Sequence, residues 1–413
     1  MPGLVVMKFG GTSVADAQRI KRAAQRIVSK REAGFRVVAV LSARGSTTDE
    51  LIAMAQTLSA DPDPREMDML LSAGERISCA LCAIAINDLG HRAISLTGSQ
   101  AGIVTDDSHT KARIIDVRAD RVRAALDEDS IVLVAGFQGV STTAKNVTTL
   151  GRGGSDTTAV AVAAALGAEE CEIYTDVAGV YTADPRIVPD ARKLATISFE
   201  EMLEMAASGA SVLQLRSVEY ARNHSVRIHC RSSFDDEPGT VVLDAGAMEQ
   251  PLITAVTHST AEARVTLIGV PDEPGAAARI FAALAQANVN VDMIVQNEPS
   301  SAGGLAEISF TAPREDLRAA RVALAPLSGE AFADMTTHEE MGKVSIIGAG
   351  MRSHPGVAAR VFAVLAAEGV NIEMISTSPI KISCVIDRDR VPRAVQVLHS
   401  AFELSGPGTS IPE

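Results

Sequence analysis

Tryptophan is absent from this 413-residue sequence, and Phe, Trp and Tyr together make up only 3% of it. Large rings therefore cannot organise the core. Ala, Val, Leu and Ile have to build it, within a hydrophobic fraction of 46%. Excess positive charge is also missing: 38 Lys and Arg face 51 Asp and Glu, a formal net charge of −13. No nucleic-acid partner is expected, because a phosphate backbone demands surplus Lys and Arg. A small anionic substrate stays compatible, since a local cationic pocket can sit in an acidic protein. The longest apolar run, Ala159 to Ala168, is too short to cross a bilayer. No basic, apolar leader precedes the first motif, so neither a signal peptide nor a membrane partner is expected, and the cytoplasm is the expected compartment. The five cysteines are scattered. Cys79 and Cys82 have C-x-x-C spacing without a second Cys/His pair, which favours buried thiols over zinc. No metal site built from protein side chains is expected.

The length exceeds one ordinary core and predicts two or three units. The first part alternates strands and helices. Leu4 to Met7, Arg36 to Leu41, Ile131 to Phe137, Cys171 to Val177 and Val226 to Cys230 read as buried strands. Val14, Ala17, Ile20, Ala24, Ile27 and Val28 recur at helical spacing, and Gly34 is placed to end that helix. Met67 to Leu89 reads as one long helix, and Thr157 to Leu166 as an Ala-rich one. This alternation predicts an α/β fold with a parallel-rich sheet covered on both faces.

The pattern changes near residue 245, at the small, turn-prone segment Asp244 to Pro251. An internal repeat follows. Pro274-Gly275 recurs as Pro355-Gly356, and Asn290 as Asn371, both 81 positions later. Each copy reads strand, Pro-Gly turn, helix, Asn turn, strand, a split βαβ unit of ferredoxin-like type. The plain alternative is a duplicated dimerisation module without a ligand. The expected division is 1–245, a linker or first strand at 246–263, then 264–340 and 341–413.

Four segments could carry chemistry. Lys8-Phe-Gly-Gly-Thr-Ser13 sits between a strand and a helix. Gly10 and Gly11 let backbone N–H groups approach a phosphate, and Lys8 could neutralise a transferring phosphoryl group. A plain βα turn is the alternative. Gly151-Arg-Gly-Gly-Ser-Asp156 precedes the Ala-rich helix. Its glycines can cradle phosphate oxygens while Arg152 reaches a carboxylate. Ser155 and Asp156 are expected at N-cap positions, where capping alone would explain them. Glu75, after Gly74 in an apolar helix, is a candidate for binding an amino group, although a solvated face would ordinarily explain it. Thr175 to Arg186 follows a strand and is otherwise a generic loop. No Walker-type phosphate loop occurs, and Gly348-Ala-Gly350 lacks the third glycine of a dinucleotide fingerprint.

Taken in order, these motifs resemble the aspartate kinase family. The residues that carry the resemblance are Lys8-Phe-Gly-Gly-Thr-Ser13, Leu41-Ser-Ala43, Thr47-Thr-Asp-Glu-Leu51, Gly74-Glu-Arg76, Phe137-Gln-Gly139, Gly151 to Asp156, Tyr174-Thr-Asp-Val177 and Val180-Tyr-Thr-Ala-Asp-Pro-Arg186. The likeness covers nearly the whole chain and is strongest to the actinobacterial lysine- and threonine-sensitive type. It implies a three-layer amino-acid-kinase domain followed by two ferredoxin-like ACT domains. It also implies phosphorylation of the L-aspartate side-chain carboxylate with ATP and Mg²⁺, the first step towards lysine, threonine and methionine.

The resemblance also assigns roles by position. Arg152 would grip the substrate α-carboxylate, Glu75 its ammonium, and Thr48, Gly153, Gly154 and Ser155 would help hold it. Lys8, Phe9, Gly10, Gly11, Ser42 and Ser155 would surround the nucleotide phosphates, and Asp156 would organise the lysine or the metal. Thr175, Asp176, Tyr181 and Arg186 would hold the nucleotide. Lysine and threonine are the implied effectors, at Asp272, Gly275, Asn290, Val291, Asp292 and Gln296 in the first copy and Asn371, Ile372, Thr377 and Ser378 in the second. Turn formation is the competing explanation for the two Asn residues. A homo-oligomer through the ACT domains is implied, or an α2β2 assembly with a regulatory chain starting near Met248.

Some positions depart from the family. Ser211 stands where relatives carry a phosphate-contacting lysine, and Arg186 or Lys193 are the candidates to replace it. Ala178 replaces an Asp, Pro379 a Glu, and Leu305-Ala306 a Thr pair. These departures keep a second reading open, a catalytically weak amino-acid sensor, beside an active kinase with altered feedback.

Overall fold

A computed structural model of the protein describes residues 3–246, 252–297 and 304–406. These form two compact units. One holds residues up to 180, 193–206 and 211–246, and the other holds 181–192, 207–210 and the residues from 252 onward. Met248 lies outside the described residues.

The first unit contains strands β1 (Leu4–Phe9), β2 (Arg36–Leu41), β3 (Ala93–Leu96), β4 (Ile103–Thr105), β5 (Ile114–Val117), β6 (Ile131–Ala135), β7 (Gln138–Ser141), β8 (Val147–Thr149), β9 (Glu170–Thr175), β10 (Thr196–Ser198), β11 (Arg227–Ser232) and β12 (Thr240–Leu243). Its helices are α1 (Ala17–Glu32), α2 (Thr47–Leu58), α3 (Pro64–Leu71), α4 (Ala73–Asp88), α5 (Asp120–Asp127), α6 (Gly154–Leu166), α7 (Phe199–Ala207), whose last residue counts with the second unit, and α8 (Leu215–Asn223). Eight strands join in the order β10-β12-β11-β9-β1-β2-β6-β3, and every pair is parallel except β11 with β12. A smaller sheet runs β5-β4-β7-β8. Every residue of β1 and β6 is buried, as a sheet covered on both faces requires. Ile20, Ala24 and Ile27 of α1 pack with Cys79, Cys82 and Ile86 of α4 over Met7, Val37 and Leu133 of the sheet. Gly34, with φ +93°, follows the end of α1.

Two helix expectations need correction. The helix expected from Met67 to Leu89 is two helices, α3 and α4, that meet at Ser72. The Ser72 carbonyl accepts from Gln138 Nε2 at 2.8 Å and Arg76 Nε at 3.1 Å, so side chains occupy the backbone at the break. Together they span Pro64–Asp88, a stretch long and apolar enough to cross a membrane, with half of its apolar window buried. Arg65, Glu66, Asp68, Glu75 and Arg76 interrupt it, so it is not one apolar run. Helix α6 begins at Gly154, three residues before the expected start, so Ser155 and Asp156 lie in its first turn. The N-cap is Gly153, at φ +72°, and no side chain caps the helix.

The second unit carries the repeat. Its elements are β13 (Ala255–Pro271), α9 (Ala276–Gln286), β14 (Asp292–Asn297), β15 (Leu305–Pro313), α10 (Leu317–Leu324), β16 (Asp334–Ile347), α11 (Val357–Ala367), β17 (Met374–Ser378), β18 (Lys381–Asp387) and α12 (Val391–Ala401). The strands form one antiparallel sheet in the order β14-β15-β13-β16-β18-β17. The two long strands serve both copies. Val265 to Ile268 pairs with Asp334 to Thr337, while Ala255 to Ser259 pairs with Lys343 to Ile347. The equivalent turn glycines adopt one conformation, Gly275 at φ +101°, ψ −11° and Gly356 at φ +101°, ψ −14°. Neither would crowd a Cβ against any neighbour, so the backbone angle is what favours glycine there. Residues 181–192 join this unit. Ala183 and Val188 enter a core with Val395 and Leu398, and Gln396 Nε2 donates to Ile187 O at 3.0 Å.

Candidate active site

In an open parallel sheet, ligands collect beyond the carboxyl ends of the strands. Here β1, β2, β6 and β9 run side by side and parallel, and the residues that follow them wall a cavity of about 600 Å³ within the first unit. Lys8, Gly11, Ser42, Thr48, Glu75, Arg152, Gly153, Gly154, Ser155, Asp156 and Thr175 all line it. The sequence separates these residues by as much as 167 positions, and the fold brings them to one place.

Lys8 is the next-to-last residue of β1. Its Nζ lies 2.6 Å from Asp156 Oδ1 in the first turn of α6, and the two side chains are 11% and 8% exposed. Acidic residues are favoured at a helix N-terminus, so Asp156 is held there by the helix as well as by Lys8. Ser155 beside it is buried and faces Gly136. A Cβ on Gly136 would come 2.8 Å from Ser155 Oγ. A Cβ on Gly153 would strike Gln214 Cγ at 2.0 Å, so that glycine serves both the left-handed turn and the close approach of Gln214.

Glu75 reaches the cavity because Gly74 lets α4 approach the loop after β2. A Cβ on Gly74 would lie 2.7 Å from Ala43 Cβ. Glu75 Oε1 accepts from Ala43 N–H at 3.1 Å, while Oε2 is buried without a hydrogen-bond partner. The residue is 3% exposed. Burial pushes its carboxyl up to about 7, against the pull of the Glu75 and Ala43 backbone donors. A buried carboxylate oxygen with no partner is costly alone and suits a cationic ligand. Arg152 is exposed at the cavity wall and can meet a carboxylate.

Other expected residues lie elsewhere. The Phe9 ring is in the core, stacked on Tyr174 at 4.8 Å, so only its backbone stands near the strand end. Gly10 donates its N–H to Tyr174 O at 3.2 Å and does not line the cavity. Asp176 is exposed outside it and accepts from the Thr175 hydroxyl at 3.2 Å. Tyr181 and Arg186 belong to the second unit, where Arg186 makes a forked pair with Asp184, with 2.7 and 3.0 Å contacts. Ser211 lines the cavity. Of the two cations named to replace a lysine there, Arg186 is engaged as above and Lys193 pairs with Glu237 at 2.8 Å. Thr110 and Gln214, which stand in none of the sequence motifs, also line the cavity, as do Asp49 and Phe137 from motifs that carry the resemblance and Thr149 beside the glycine-rich segment.

Among the described residues, one group of acids and histidine is close enough to hold a metal, Glu170, Glu172 and His229 on β9 and β11. Lys30 lies 2.8 Å from Glu172, with Arg231 at 3.4 Å, and His229 meets Glu170 at 3.2 Å, so the group forms an ion-pair network. None of the three lines the cavity.

In the second unit, Asp272, Asn290, Gln296 and Thr377 are exposed, and Val291 and Ser378 are half-buried. Gly275 caps α9. Asp292 pairs with Lys343 Nζ at 2.9 Å, and Asn371 Nδ2 donates to Glu373 at 2.9 Å. Ile372 lines a groove of about 550 Å³ with Arg264, Glu307 and Glu373, and it is the one residue of the expected effector set that does.

Comparison with known proteins agrees with this architecture. The chain matches the amino acid kinase family over residues 3–232 and the ACT domain over residues 264–325 and 344–402. It is 57% identical to an aspartokinase of Mycolicibacterium smegmatis, over 98% of this chain and 97% of that protein. It is 27% identical to E. coli aspartokinase III in complex with aspartate and ADP in the R-state, with a TM-score of 0.84 over 97% of this chain and 100% of that one. The lysine and aspartate complex of the same enzyme, in the T-state, gives 28% identity and a TM-score of 0.73 over 96% and 99%.

Proposed function

The chain belongs to the aspartokinases, the members of the amino acid kinase family with paired ACT domains, and we propose that its cavity transfers the γ-phosphoryl group of ATP to the side-chain carboxylate of L-aspartate. The observation that carries this reading is Glu75 Oε2, a buried carboxylate oxygen without a partner, in a cavity that also holds Arg152 and the Lys8–Asp156 pair. Glu75 meets the substrate ammonium and Arg152 its α-carboxylate, which leaves the side-chain carboxylate as the acceptor. Thr48 and the backbone at Gly153, Gly154 and Ser155 hold the substrate.

A carboxylate is already ionised at neutral pH, so no general base is needed. Its oxygen forms the new bond to phosphorus as the bond to the ADP oxygen breaks. Lys8 neutralises charge on the transferring group, and Asp156 holds Lys8 in place. Gly10, Gly11, Ser42 and Ser155 surround the phosphates with the Phe9 backbone. Thr175, at the cavity wall, contacts the nucleotide. The Asp156 carboxylate and the Ser42 and Ser155 hydroxyls are hard oxygen donors of the kind Mg²⁺ accepts. The ion, when bound, supplies charge neutralisation at the phosphates.

We further propose feedback by lysine or threonine through the paired ACT domains, in the first step towards lysine, threonine and methionine. The lysine complex of E. coli aspartokinase III supports lysine as an effector. Pro379 and the exposed Leu305 stand at family positions near the effector pocket, which favours weakened inhibition. A homo-oligomer through the ACT domains, or α2β2 with a chain starting near Met248, completes the proposal.

Trapping with hydroxylamine tests the activity. Aspartate and MgATP should yield aspartyl hydroxamate, and glutamate should not. Absence of hydroxamate, with thermal stabilisation by lysine or threonine, would instead identify an amino-acid sensor.

A further inference from the structure

One wall of the cavity comes from a loop that no motif marks. Thr110 lines the cavity at φ +63°, a left-handed conformation in which a β-branched residue is an outlier. Such conformations persist only where surrounding contacts enforce them, and they concentrate at functional sites.

The enforcing contact is Asp68 of α3. Its side chain is fully buried. It accepts from Thr110 N–H at 3.1 and 3.2 Å and from the Thr149 hydroxyl at 2.5 Å, and it meets His109 Nδ1 at 2.6 Å. Arg216 of α8 adds a second clamp by donating to Leu150 O at 2.6 Å and Ala112 O at 3.0 Å. These bonds stitch the loop at 109–112 to the strand that leads into Gly151. Thr110 O would lie 3.0 Å from a Cβ on Gly151, so the loop packs against the residue that precedes Arg152, and Thr110 and Arg152 line the same cavity. Its backbone N–H is spent on Asp68. Its hydroxyl makes no hydrogen bond within the described protein and is left for a ligand.

We propose that the Thr110 hydroxyl is a specificity contact for the amino-acid substrate, donating to the carboxylate that Arg152 receives, and that Asp68 is the positioning residue that holds it there. This rests on the reading of the cavity as the aspartate site. A neutral donor beside the guanidinium adds a directional contact on a further lone pair of a carboxylate that the Arg152 fork can already orient.

The test is steady-state kinetics and aspartate calorimetry on three Thr110 variants. Thr110→Val keeps the branched shape and removes the hydroxyl. Thr110→Gly also relieves the backbone. Thr110→Ser restores the hydroxyl. Loss of one hydrogen bond to a charged ligand corresponds to about 10-fold or more in affinity. The Val and Gly variants should raise KM and Kd for aspartate by about that factor, with KM for ATP within about 2-fold. The Ser variant should stay near wild type, and Thr110→Gly should melt no lower than wild type. Asp68→Asn should reproduce the aspartate effect. If Asp68→Asn fails to fold, the Thr110 variants decide. Unchanged aspartate affinity in both Thr110→Val and Thr110→Gly would overturn the proposal. A wild type that makes no acyl phosphate would refute the kinase reading instead, and calorimetry would still read the Thr110 contact.

Discussion

Lys8 Nζ and Asp156 Oδ1 sit 2.6 Å apart where β1 ends and α6 begins, each almost out of water. Removing one partner of a buried pair strands the other charge, which costs roughly 3–5 kcal/mol, whereas replacing both is often neutral. Lys8→Met should therefore lower unfolding free energy by about 3 kcal/mol. The double variant Lys8→Met/Asp156→Asn should recover most of that loss. Catalysis should not recover, because the positive charge at the phosphoryl group is gone, and kcat should stay down by about 10²-fold or more. Denaturant unfolding and ADP release, measured on the same three proteins, separate the two effects.

Glu75 should oppose stability and serve binding. Its folded carboxyl is raised to about 7 from an ordinary 4.5. The unfolded chain loses this proton first, so folding weakens as pH rises from about 4.5 to 7. The shift is worth roughly 3 kcal/mol above pH 7. Glu75→Gln should raise the melting temperature at pH 8, change it little at pH 4.5, and abolish aspartate binding. A variant no more stable at pH 8 than wild type would show that Glu75 is not strained by burial.

His399 of α12 is fully buried, and its Nε2 meets Thr182 Oγ1 at 2.9 Å. Its Nδ1 is buried without a partner among the described residues. Burial lowers its pKa, with Asp190 opposing, so the folded ring stays neutral where the unfolded ring protonates. The associated stability is present above the ordinary value near 6.5 and is lost as pH falls below it. Unfolding of the second unit should become easier between about pH 6.5 and 5. His399→Gln should flatten that dependence in a melting series across the range.

How far the sequence could be read depended on whether chemistry or packing placed each residue. The repeat was legible because two copies must bury the same faces, and Gly275 and Gly356 share one backbone conformation. The glycine-rich segment was legible because its residues are neighbours in sequence. Its helix register was not. Gly153 at φ +72° starts α6 without a side-chain cap, and the rule that favours Ser or Asp at that position misplaced Ser155 and Asp156. Phe9 shows a further limit. A strand buried on both faces carries no alternation, so the pattern could not say that its ring turns into the core towards Tyr174. Asp68, Thr110 and Gln214 lie outside every motif, because only tertiary packing brings Thr110 and Gln214 to the cavity and Asp68 beneath the loop that carries Thr110.

Calorimetry of aspartate binding tests the claim that Glu75 reads the substrate ammonium. Free Glu75 is partly protonated at pH 7. An ammonium beside it favours the carboxylate, so binding should release protons. Titrations at pH 7 in two buffers of different ionisation enthalpy measure that release. The account predicts proton release with L-aspartate, and no measurable binding either of L-aspartate to Glu75→Gln or of N-acetyl-aspartate, which lacks the charge, to the wild type. Equal binding of aspartate and N-acetyl-aspartate, without proton release, would contradict it.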